Sequence, residues 1–192
     1  MVEEDTKKSL ASVIKEYKKE AVIMMELPTE SYFDSNSASV KLLIDEEFEG
    51  IYISFQRPFK NIYSLFNQQG ISVDKLFFID VATALGGEAQ EEDSKCIHIS
   101  PAIDIDELVR AIYNSIPKLK SKKKFIFIDS LTTITLYKPL SEVMRFSEFL
   151  VRTVRKNEID SIFLIFNVAK DLAQKKFIKD IALHVDEIIS LS

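Results

Sequence analysis

The stretch "KKKFIFIDSLTTI", residues 122–134, decides how the rest of the chain is read. Lysines give way to the unbroken apolar run Phe125-Ile126-Phe127-Ile128, which ends at Asp129 and Ser130. A strand with one wet face alternates apolar and polar residues. A strand covered on both faces is apolar throughout, as in a mainly parallel sheet held between helices. Six more stretches share this continuous character: "AVIMMEL" (21–27), "GIYISF" (50–55), "KLFFIDVA" (75–82), "CIHIS" (96–100), "SIFLIF" (161–166) and "EIISLS" (187–192). Helical patterns lie between them, at about 37–47, 59–69, 104–117, 140–156 and 169–185. In the third, Ile105, Leu108, Val109, Ile112 and Ile116 recur at helix spacing, with Asp104 placed to cap the start and Pro117 near the end. The alternation predicts an α/β fold of three layers, a twisted and mainly parallel sheet with helices on both faces.

With 192 residues, 46% hydrophobic and only four glycines, the chain is expected to form one compact domain, 21–192, preceded by a leader helix over 1–20. In that leader Leu10, Val13, Ile14 and Tyr17 share one face, suited to packing on the sheet or on a partner. The net charge of -5 argues against broad attraction to nucleic acid or anionic lipid. The N-terminus lacks an apolar signal core, and no apolar run approaches the roughly 20 residues that span a bilayer, so the expected location is cytoplasmic. Cys96 is the only cysteine, and together with His98 and His184 it makes no zinc spacing, so no metal is expected. His98 reads as a packed or bonded strand residue, and Tyr32, Phe33, Phe48 and Phe59 read mostly as core. The basic run "KLKSKKK" (118–124) reads as a solvated turn that complements a helix dipole, in preference to a phosphate contact. The stretch "TALGGEAQEEDSK" (83–95) has the composition of a loop.

Asp129 stands where a strand leaves the carboxyl edge of the sheet, the place where ligands bind in such folds and where an acid holds magnesium in nucleoside triphosphatases. Taken alone, an acid at a strand end more often bonds to the backbone of the following turn.

The order "AVIMMEL", "GIYISFQRP", "KLFFIDVA", "KKFIFIDSLTTI", "FLVRTVRKNEIDSIFLIFN", "HVDEIISLS" resembles a stand-alone KaiC-like domain of the RecA superfamily, over nearly the whole chain from Ala21 onward. The resemblance implies a RecA-like sheet, with ATP held between a phosphate loop after the first strand, a magnesium-holding acid, and carboxylates after the "SF" strand. Only the acid and its neighbour, Asp129 and Ser130, match, as a vestigial magnesium and nucleotide site. The phosphate loop requires G-x-x-x-x-G-K-[ST]. "ELPTESYFDSNSASVKLL" (26–43) offers Glu26, Thr29, Glu30, Asp34, Ser35 and Ser37 instead, with Lys41 as its first lysine. Losing three charge-assisted hydrogen bonds of roughly 1.5–3 kcal/mol each lowers affinity by about three to six orders of magnitude. Gln56 and Arg57 replace the carboxylates that would orient attacking water. Arg57 is a candidate ion-pair partner for Asp129 or Glu30.

The resulting expectation is a non-catalytic RecA-fold pseudo-ATPase, without cofactor, that works as a protein-interaction or regulatory module. Its partner would be a second copy or an active RecA-type ATPase, meeting the leader helix or the acidic loop 83–95. A rival reading is an ATP-binding enzyme with magnesium on Asp129 and phosphate on Ser130 or the Ser35–Ser39 cluster. A weaker one, from superfamily membership alone, is a DNA-recombination accessory protein, for which an acidic chain is poorly suited.

Overall fold

The computed structural model describes residues 2–86, 93–156 and 160–191. Seven parallel strands form its sheet: β1 (Glu20–Leu27), β2 (Glu49–Ser54), β3 (Leu76–Asp80), β4 (Cys96–His98), β5 (Lys123–Asp129), β6 (Ser161–Ala169) and β7 (Glu187–Ser190), in the order β4-β3-β2-β5-β6-β1-β7. Each of the seven expected strands is present. Parallel neighbours need crossovers, and helices supply them. Helices α1 (Val2–Glu16), α2 (Tyr32–Asp45) and α3 (Phe59–Gln68) cover one face. On the other lie α5 (Ile105–Ser115), α7 (Leu140–Arg155) and α8 (Lys176–Ala182). Two short helices, α4 (Ala82–Gly86) and α6 (Leu131–Ile134), follow the ends of β3 and β5.

The continuous apolar runs are explained by this double cover. Along β1, Val22 and Met24 join the core under α5, α7 and α8, whereas Ala21, Ile23 and Met25 join the core under α1, α2 and α3. Helix α1 folds back on α2, burying Leu10 and Val13, so its apolar face is used within the chain. Two lysines of 118–124 are likewise engaged within the chain. Lys124 is buried in an ion pair with Asp160 at 2.6 Å, and the Lys118 ammonium lies 4.2 Å from the Phe77 ring centroid.

Two helix boundaries differ from expectation. Helix α2 begins at Tyr32, five residues before the predicted start at Ser37, although Asp34, Ser35, Asn36 and Ser37 are weak helix formers. Burial of Ser35, Asn36, Ser37 and Ser39 against the rest of the molecule outweighs that propensity. Strand β6 runs to Ala169, paired with Leu27 of β1, so the predicted 169–185 helix is reduced to α8 after a turn at Lys170–Leu172. Residues 87–92 of the acidic loop predicted over 83–95 lie outside the described residues; Thr83–Gly86 belong to α4.

Register aligns the carboxyl ends. Asp80 pairs with Ser54, Ser54 with Asp129, and His98 with Asp80, so one row across the sheet carries His98, Asp80, Ser54 and Asp129. Polar groups therefore collect along a single edge, above an apolar core.

Candidate functional site

Asp129 leaves β5 with its carboxylate on the face covered by α2, where it is 2% exposed. Tyr52, two residues before the end of neighbouring β2, donates its hydroxyl to Asp129 Oδ2 at 2.5 Å. The Tyr52 ring is fixed by stacking on Phe127 at 5.2 Å and by an edge contact with Phe66 at 5.3 Å. Tyr32 and Asn36, one turn apart at the start of α2, place a hydroxyl and an amide beside the same carboxylate without a hydrogen bond to it. Asn36 in turn accepts from the Asn167 amide of β6 at 2.6 Å. Side chains from β2 and α2 thus gather at the acid that ends β5, and β6 reaches them through Asn36.

Burial raises the Asp129 carboxyl above its ordinary value, against the opposing pull of the Tyr52 hydrogen bond, the nearby polar groups of Tyr32 and Asn36, and the Arg57 charge. Burial also pushes both tyrosine hydroxyls well above their ordinary value, reinforced by the Asp129 charge. Both tyrosines therefore stay protonated at physiological pH. Several polar atoms here are buried without a hydrogen-bond partner among the described residues, namely Tyr32 Oη, Asn36 Nδ2, Asp129 Oδ1 and Asn167 Oδ1.

Ser130 is the N-cap of α6: its hydroxyl accepts from the Thr133 amide at 3.2 Å. Gln56 donates to the Ser130 and Thr133 hydroxyls, each at 3.2 Å, joining the end of β2 to that cap. The turn-capping role considered for Asp129 therefore belongs to Ser130. Arg57 makes no ion pair with Asp129 or Glu30 among the described residues. Its guanidinium lies over the Phe33 ring, 4.5 Å from the centroid, and it influences Asp129 only through space. Arg57 and Glu30 are both exposed, where an ion pair gains little.

That β1–α2 connection is Pro28 followed by a single 3-10 turn, Thr29–Ser31, before α2 begins. Thr29, Glu30 and Asp34 are exposed, Glu26 is half-buried at the end of β1, and Ser35 and Ser37 are buried within α2. Lys41 lies farther along α2, paired with Asp45 at 3.6 Å. Of the expected site residues the fold brings together Asp129, Ser130 and Gln56, and it scatters the rest. Phe48 and Phe59 are core residues, and Tyr32 and Phe33 are half-buried. Sequence reading missed Tyr52 as the partner of Asp129 and Asn167 as the partner of Asn36 beside it. The available signal was a polar-tipped residue inside each of two apolar strands, which must find a partner once buried.

A second polar cluster lies across β2, at the ends of β3 and β4. Asp80 Oδ1 accepts from the Thr83 amide at 2.9 Å, and its Oδ2 accepts from the Phe59 amide at 2.9 Å and the Thr83 hydroxyl at 2.5 Å. His98 Nδ1 is 3.3 Å from Asp80 Oδ2. The Cys96 thiol is buried nearby and is pushed well up by that burial, with the Asp80 charge adding to it.

With this architecture in view, the solved structures decide the fold class. The chain aligns with an uncharacterized protein from Pyrococcus horikoshii, solved in complex with an unknown peptide, at a TM-score of 0.68 and 12% identity over 95% of this chain and 82% of that one. It also aligns with a KaiC-like protein from Pyrococcus horikoshii OT3, a hyperthermophilic archaeon, at a TM-score of 0.57 and 13% identity over 88% and 70% of the two chains. The fold is RecA-like. No family model matches the chain, and no curated protein matches its sequence. At such identities the likeness carries the RecA-like architecture and nothing of the chemistry. No helix among the described residues is long and apolar enough to cross a membrane.

Proposed function

We propose that this chain is a cytoplasmic, non-catalytic RecA-fold module that binds another protein, either a second copy or an active RecA-type ATPase. The observation that carries the reading is the set of side chains around Asp129. A magnesium-holding acid needs its oxygens open toward the ligand. Here Oδ2 is taken by Tyr52, and Tyr32 and Asn36 lie over the carboxylate from the helix that a phosphate loop would precede. Lys41, the first lysine after β1, is paired with Asp45. A buried carboxylate repels a triphosphate, and Arg57, whose charge acts on Asp129 through space, is held over the Phe33 ring.

Support for a protein partner comes from the adjoining surface. The segment after α6 exposes Leu136 (76%), Tyr137 (48%) and Leu140 (49%), close along the chain to the Ser130 cap. Neighbouring exposed apolar groups of this kind are a common mark of an interaction site. The archaeal structural neighbour held an unknown peptide, which agrees with a RecA-like scaffold used for protein recognition.

The test has two arms. Calorimetry with magnesium-ATP and magnesium-ADP, at up to millimolar nucleotide, is expected to give no saturable heat. Affinity capture with the whole chain is expected to retain a RecA-type domain or the chain itself, and Leu136→Asp with Leu140→Asp to release it. Saturable nucleotide binding would return the protein to the ATP-binding class, whereas capture unaffected by both substitutions would remove this surface from the proposal.

A further inference from the structure

We propose that Asp80, Cys96 and His98 form a binding site for a zinc-class divalent cation, with water as the fourth ligand. The site lies across β2 from Asp129 and is independent of the protein-binding reading.

Cys96 and His98 alternate with Ile97 on β4 and so point to one face of the sheet, while Asp80 stands opposite His98 on β3. One donor atom from each residue lies within 4.8 Å of the other two. The His98 Nδ1 to Asp80 Oδ2 separation of 3.3 Å matches the edge of a tetrahedron whose nitrogen and oxygen donors are each about 2.0 Å from zinc, which is about 3.3 Å. Bringing in the sulfur requires a nitrogen–sulfur edge of about 3.5 Å, a movement of about 1 Å or a little more from the loosest arrangement those limits permit.

The surroundings suit a ligand set. The Thr83 amide on Asp80 Oδ1 supplies the outer hydrogen bonding that orients a metal-binding carboxylate, while Oδ2 accepts from the Phe59 amide and the Thr83 hydroxyl, and the hydroxyl has to rotate away for Oδ2 to take the ion. Ring contact with Phe59, at 6.5 Å between centroids, steadies His98. A zinc ion with one carboxylate and one thiolate is electrically neutral overall, so no unpaired charge is buried beneath the α3 N-terminus. Strand β4 is the edge of the sheet, and His98 retains 12% side-chain exposure, which gives an ion a route in. Mixed nitrogen, sulfur and oxygen donors favour zinc over magnesium or calcium.

A Cys-His-Asp group also invites a nucleophilic reading. A catalytic thiol, however, is exposed and held low by its neighbours, whereas Cys96 is buried and pushed the other way. A metal overcomes that obstacle because coordination itself removes the thiol proton.

Cobalt(II) and zinc(II) titrations of the intact chain test the site. Cobalt is expected to bind with a stoichiometry of one, to produce a thiolate-to-cobalt charge-transfer band, and to be displaced by zinc. Cys96→Ser should abolish the band, and His98→Gln should weaken zinc binding by at least about tenfold. Circular dichroism on both variants separates loss of a ligand from loss of fold, and His98→Gln provides the reading if Cys96→Ser misfolds. Absence of binding up to millimolar zinc, cobalt binding without the thiolate band, or unchanged affinity in a folded His98→Gln protein would each overturn the proposal.

Discussion

Asp129 shows how an identical residue in a sequence pattern serves different physical ends. The strand that delivers it was legible in "FIFID", because an apolar run ending in an acid marks the carboxyl edge of a buried strand. Its partner was not, since Tyr52 arrives from a strand far away in the chain, as Asn167 does to reach Asn36 beside it. Because burial holds the Asp129 carboxyl above its usual value, the native state keeps that proton more tightly than the unfolded chain does. The stabilisation linked to it is complete below the ordinary carboxyl value of 3.8 and is lost as pH rises through the native value. Asp129→Asn should therefore match the native protein in acid and exceed it at neutral pH, by about 1.4 kcal/mol for each tenfold weakening of the acid. Urea midpoints measured from acid to neutral pH provide the check, and a gap that widened in acid would refute the account. Tyr52→Phe removes a hydrogen bond to a buried charge and should cost about 1.5–3 kcal/mol at neutral pH. In an Asp129→Asn background the same change should cost about 1 kcal/mol, so a double-mutant cycle is expected to show coupling.

Individual elements were legible wherever hydrophobic period and end signals agreed. Asp104 caps α5 by accepting from the Asp106 amide at 2.9 Å, as its position before an amphipathic run predicted. Asp104→Ala should lower stability by about 1 kcal/mol, read from thermal or urea unfolding. Helix α2 escaped the same reading because its first turns are serines, Asp34 and Asn36, which propensity assigns to a loop. Between β2 and β5 the fit depends on the absence of one carbon. A Cβ on Gly50 would come 2.2 Å from the Phe125 ring, which is fully buried in the same core as Tyr52. Gly50→Ala is expected to destabilise by about 1–3 kcal/mol or more. If the variant unfolds at the native midpoint, Phe125 has room that the packing does not show.

The whole molecule buries an apolar layer on each side of one sheet, and α1 belongs to that arrangement. Leu10 and Val13 lie against α2, and the Tyr17 hydroxyl donates to Glu187 of β7 at 3.3 Å. Removing residues 1–19 should expose the outer side of α2 and lower the unfolding midpoint by several degrees, since about 1 kcal/mol corresponds to roughly 2–4 °C in a domain of this size. An unchanged midpoint would make the helix a separable leader. The sequence by itself determined the seven strands, most of the helices and the three-layer class, because these follow from local periodicity and from the need to bury apolar residues on both faces of the sheet. It also placed Asp129 and Ser130 at the edge where ligands bind in such folds. Only the tertiary structure decided what those residues meet. Parallel strands join residues widely separated in the chain, so the Tyr52–Asp129 contact, the Asn36–Asn167 amide pair and the meeting of Asp80 with Cys96 and His98 have no signature in linear spacing. The register of the sheet and the direction of each side chain create them.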